Sequence, residues 1–128
     1  MSMILAIMLQ LPTIEQMETK ATWTDQDRKA ALEWAKVRAT LWSACIAASR
    51  KQMTKLREPP ETIATGVLGS CLPQQKAAHR AIVVSFRGVQ EPSERERTAD
   101  DIVEGWRKDV REAVIGEVLA ARSSAAKP

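Results

Sequence analysis

Cys45 and Cys71 are the only two cysteines of the chain, and they are the first residues to read for chemistry. Glu58, at the start of the run Glu58-Pro59-Pro60-Glu61, lies 13 positions from each of them. In an antiparallel pair of helices that turns at that point the two sulfurs come level. A disulfide needs Cα atoms about 4.4–6.8 Å apart, which close-packed helices with small residues supply. Two reduced cysteines, used as small buried apolar residues, are the alternative. The pair is not Cys-x-x-Cys, so it lacks the signature of a redox catalyst. Together with His79, the only histidine, the cysteines make at most three good ligands, whereas structural zinc takes four. No metal is assigned on that basis. His79, between Ala78 and Arg80, reads as a surface or helix-end residue, and Asp100 and Asp101 fall in a charged helical turn. The sequence shows no Gly-rich phosphate loop, no His-Glu-x-x-His and no serine or cysteine in a nucleophile setting. The reading is of a non-enzymatic protein with no catalytic residue and no cofactor.

Charge is the second chemical feature. The net charge of +3 is unevenly spread: residues 28–87 hold eleven lysines and arginines against three carboxylates, and residues 88–128 hold seven against nine. Arg50, Lys51, Lys55, Arg57, Lys76, Arg80 and Arg87 form a candidate patch for an anionic partner. That partner is an unknown protein, anionic envelope material or nucleic acid. Nucleic-acid binders usually add a recognition helix or stacking aromatics, and neither is evident. A solvated surface is the plainer explanation, and the cations at residues 50–57 also complement the negative end of a helix.

Few aromatics, few glycines and abundant Ala, Leu, Val, Ile and Met favour helices as the elements that carry these residues. The size is that of one domain. Thr24, with Asp25 and Asp27 behind it, reads as a helix start. The first arm, about 25–57, places Ala30, Trp34, Val37, Leu41, Cys45 and Ala48 on one face, with Met53 and Leu56 continuing it and Trp42 off the stripe. Pro60 suits the first turn of a second arm, about 60–87, with Ile63, Ala64, Val67, Leu68 and Cys71 on its inner face. Gly66 and Gly69 are read as points of close approach to the first arm, and Pro73 as a kink or new start. Gly88 reads as a helix stop, and Ser93 with Glu96 as a capping box. That box opens an amphipathic helix of about 94–122 with Ala99, Ile102, Val103, Trp106, Val110, Val114 and Val118 on one side. The expected fold is all-α: a small bundle made of an antiparallel helical hairpin covered by a C-terminal helix, within a single domain of residues 22–122, followed by a disordered tail of residues 123–128.

Residues 3–11 form an apolar run broken only by Gln10. Its length matches the core of a secretory signal, and Thr19 and Ala21 offer small residues for cleavage after Ala21. The preceding basic residues are missing, and Glu15, Glu18 and Lys20 charge the approach to that point. Residues 1–21 are therefore read either as a truncated signal peptide or as an N-terminal amphipathic helix, with Ile4, Ile7, Met8, Leu11 and Ile14 at helical spacing. No run approaches the ~20 apolar residues needed to cross a bilayer.

The segments Trp42-Ser43-Ala44-Cys45, Glu58-Pro59-Pro60-Glu61-Thr62-Ile63-Ala64 and Ser70-Cys71 resemble small exported bacterial proteins of unknown function. In those, a helix with a Trp/Tyr-x-x-Cys motif precedes a Glu-Pro-x-Glu-x-Ile-Ala turn and a second cysteine. The resemblance spans residues 34–80 and implies a helical, disulfide-bearing protein that is periplasmic or secreted. A cytoplasmic protein that turns its basic hairpin to nucleic acid or to an acidic protein is the alternative.

Overall fold

Thr24 starts the helix on which the rest of the chain is laid. Its hydroxyl accepts from the Asp27 backbone N–H while the Asp27 carboxylate accepts from the Thr24 backbone N–H, a reciprocal capping box. The computed structural model describes residues 12–125, and among these the chain forms five helices and no strand. They are α1 (Ile14–Thr19), α2 (Asp25–Met53), α3 (Pro60–Ser70), α4 (Leu72–Ser85) and α5 (Pro92–Ala125). No helix among the described residues is long and apolar enough to cross a membrane.

The all-α hairpin is present, but its second arm is two helices. The break falls at Cys71, which ends α3 and begins α4 with non-helical backbone angles. Pro73 explains it. Inside one continuous helix its ring would collide with the preceding turn and its missing N–H would forfeit a hydrogen bond. Restarting at Leu72 puts Pro73 in a first turn, where no N–H is needed. Together α3 and α4 run antiparallel to α2 and also to α5, which spans the molecule beside them. Arg107 donates to Gln75 of α4, Arg111 to Thr65 of α3, and Arg122 to the carbonyls of Leu56 and Glu58.

Three apolar clusters follow this layout. One joins Trp42, Ile46, Ile63, Ala64, Val67, Leu68, Cys71, Val114 and Val118. A second gathers Ile82, Ala99 and Val103 where α4 meets α5. The third holds Ile14 and Met17 of α1 against Ala31, Trp34, Ala81 and Val84. α1 is thus a strap laid across α2 and α4. Its ties are polar as well: Trp34 Nε1 donates to the Pro12 carbonyl, Arg87 to the carbonyls of Met17 and Lys20, Arg80 pairs with Glu15 and Glu18, and Lys20 pairs with Asp27.

Several details differ from the sequence reading. Trp42 and Ile46 are buried while Ala48 is exposed, so the inner face of α2 rotates along its length as its neighbour changes from α4 to α3 and α5. α2 ends at Met53 with Thr54 as its cap, short of residue 57. α5 begins at Pro92, so Ser93 lies inside the first turn and does not precede it; proline with its fixed φ takes the first helical position. The same helix continues through Ala125, past the expected end at 122. The apolar run of residues 3–11, and residues 126–128 of the expected tail, lie outside the described residues. α4 ends at Ser85 with Phe86 as its cap, short of residue 87, and Gly88 turns the chain just beyond that end, with φ +83° and the Trp23 ring packed where a side chain would start. Gly66 makes room for the Met53 side chain, whereas Gly69 meets nothing.

Candidate functional site

The disulfide lies between α2 and the α3–α4 junction. Cys45 is half-buried and Cys71 fully buried, and the two are bonded with Cα atoms 5.9 Å apart. The bridge is walled by the first apolar cluster. Ser49 and Ser70 hydrogen-bond to each other at 2.6 Å beside it, and Ser70 also donates to the Val67 carbonyl at 2.8 Å. Closing a loop of 26 positions stabilises the fold by about 3.5 kcal/mol on a chain-entropy argument. The bond staples the kinked arm to α2 at its weakest point, the residue where helical hydrogen bonding is interrupted.

The seven cations of the candidate patch fall in two places. Arg50, Lys51, Lys55 and Arg57 sit at the end of α2 and in the turn after it. Lys76, Arg80 and Arg87 lie on or just after α4, which runs back toward the start of α2. Arg50 and Arg87 are separated by nearly the whole length of α2, on the order of 40 Å at 1.5 Å per residue. Three of the seven are engaged within the fold. Arg50 holds Glu117 at 2.6 Å. Arg80 holds Glu15 and Glu18, and its hydrogen bond to Glu18 raises its pKa. Arg87 grips the strap and stacks its guanidinium 5.0 Å from the Trp23 ring. Lys51, Lys55, Arg57 and Lys76 are exposed and make no ion pair among the described residues. Lys51, Lys55 and Arg57 are joined at their end of the bundle by Arg122, by the exposed Leu56 and Leu119, and by Glu58 and Glu61.

His79 lies on the surface, as its sequence context implies, but it is not alone. Its Nε2 is 2.7 Å from Asp100 Oδ1 and 3.9 Å from Glu96 Oε2, both on α5. His79 and Glu96 border an open cavity of about 300 Å³, lined also by Glu18, Arg80, Arg87 and Arg95. The Nε of Arg95 is buried without a hydrogen-bond partner among the described residues. A sequence signal for the triad did exist: His79 and Asp100 are equidistant from the loop at residues 89–90, the same symmetry that brings the cysteines level.

A second feature escaped the sequence reading. Trp42 of α2 stacks on Trp106 of α5 with ring centroids 5.6 Å apart and planes 26° apart. Ala39, Ser43, Asp109 and Val110 complete a shallow groove around the pair.

No family model, no curated protein and no solved structure matches this chain.

Proposed function

We propose that this is a non-catalytic, disulfide-stabilised helical interaction protein of an oxidising compartment, periplasmic or secreted, whose cationic end meets an anionic protein or envelope partner. The observation that carries the reading is the Cys45–Cys71 bridge, set in the core at the break between α3 and α4. Disulfides form and persist where the surroundings are oxidising and are rare in reducing ones. The resemblance to small exported two-cysteine proteins points the same way. For the contact surface, the end that carries Lys51, Lys55 and Arg57 is favoured. Its cations are exposed and make no ion pair among the described residues, and Leu56 and Leu119, 47% and 54% exposed, add apolar contact area of the kind a protein partner uses.

The same exposed lysines and Arg57 support a second reading, a cytoplasmic protein that binds nucleic acid or an acidic partner through this end. One experiment separates them. A photo-crosslinking residue is placed at Lys55, or at the exposed Lys76 on α4 as a control, and irradiated in living cells. Protein adducts in the envelope fraction at position 55 and not at 76 support the first reading. Nuclease-sensitive adducts, with binding that falls steeply as salt rises, support the second. Equal labelling at both positions, or none, removes the cationic end from either.

A further inference from the structure

We propose that His79, Glu96 and Asp100 form a site for a divalent transition-metal ion of the zinc type, bound between α4 and α5. The three ligand atoms lie within 4.8 Å of one another. Zinc binds imidazole nitrogen and carboxylate oxygen at about 2.0–2.2 Å, so the edges of its tetrahedron are about 3.3–3.6 Å. The separations from His79 Nε2, 2.7 Å to Asp100 and 3.9 Å to Glu96, fall on either side of that edge. The two carboxylates, within 4.8 Å of each other, close on the same edge by rotation of their side chains. An ion bound there takes the place of the hydrogen bond between His79 and Asp100.

The scaffold suits the task. Glu96 and Asp100 are four residues apart on α5 and so project from the same face one turn apart. His79 faces them from α4, and beneath all three the two helices are fixed by Ile82, Ala99 and Val103. Two carboxylates balance the charge of a divalent ion, and the mixed imidazole–carboxylate set suits zinc, nickel and copper. His79 keeps 27% of its side chain exposed, which leaves a path for entry. Three protein ligands leave a fourth position open, and the cavity borders His79 and Glu96 on one side. Arg95 lines the same cavity. Arg80, on the same wall, has its charge met by Glu15 and Glu18.

The test is a titration of the oxidised full-length chain with zinc chloride, followed by nuclear magnetic resonance of the imidazole. Because the chain has one histidine, its ring signals report this site without ambiguity. The expected result is saturable binding of one zinc with a shift of the His79 ring nitrogens. His79→Gln and Asp100→Asn each weaken the affinity by about tenfold or more, while Asp101→Asn, one position along the same helix, leaves it unchanged. Ring signals that stay fixed at millimolar zinc overturn the proposal, as do affinities equal in wild type, His79→Gln and Asp100→Asn.

Discussion

Replacing Met17 by alanine tests the strap and separates it from the bundle. Met17 is 1% exposed and packs among Ile14, Ala31, Trp34, Ala81 and Val84. Removing a buried methionine side chain loses its transfer energy and leaves a cavity, together about 2–5 kcal/mol. α1 has only six residues, far below the length at which a helix holds alone in water. The loss therefore falls on docking of the strap and leaves the rest of the fold standing. A docking loss of about 2 kcal/mol raises the population of the undocked state roughly thirtyfold. Amide hydrogen exchange reads this directly: protection of residues 14–20 drops by that factor, while α3 and α5 keep theirs. Trp34, whose Nε1 donates to the Pro12 carbonyl, changes its fluorescence in step. Met17→Leu, close in volume, costs less than about 1.5 kcal/mol. Unchanged protection of residues 14–20 in Met17→Ala would refute the packing argument. The same reasoning bears on residues 1–21 as a signal peptide, because cleavage after Ala21 would strip α1 from Trp34, Ala81 and Val84.

Other outcomes follow from the same structure. Cys45→Ala with Cys71→Ala lowers the unfolding free energy by about 3.5 kcal/mol, measured by urea denaturation against the oxidised wild type; equal midpoints would contradict a stapling role. Asp27 is held down to about 2, first by the hydrogen bond from Lys20 and then by Thr24. A carboxyl with a folded pKa below its ordinary 3.8 contributes stability that is complete above about pH 4 and lost as pH falls toward 2. Denaturation of Asp27→Asn across that window should lack the corresponding slope. Gly88→Ala forces a side chain into φ +83° and against the Trp23 ring at 2.9 Å, for a cost of at least about 1–2 kcal/mol, read as a lower melting temperature.

What the sequence disclosed followed from local rules and from symmetry about turns. Thr24 with Asp27, and Pro60, announce helix starts through chemistry confined to a few residues, and each start is found at that place; Gly88 marks the turn, while the helix before it ends at Ser85. Cys45 and Cys71 come level because Glu58 stands midway between them. Helical spacing alone puts Trp42 off the stripe because it assumes one constant neighbour, whereas α2 faces α4 over one half and α3 over the other. The pairing of His79 with Asp100 and Glu96 depends on α4 and α5 lying side by side, a tertiary fact that no single helix reveals. Dispersal of the cations has the same origin. Arg80 and Arg87 belong to an arm that returns to the start of α2, and the carboxylates and carbonyls that engage them are on the strap, some 65 to 70 residues away in sequence.

The most direct test of the central claim is the intact mass of the protein recovered from its own cells, taken with and without prior reduction in the presence of an alkylating agent. A disulfide-bonded interaction protein of an oxidising compartment takes up no alkyl group until it is reduced and two afterwards, because Cys45 and Cys71 are joined. Two alkyl groups on the unreduced protein would contradict the account: the pair would then be core thiols in a reducing compartment, and Lys51, Lys55 and Arg57 would have to be explained by a cytoplasmic partner.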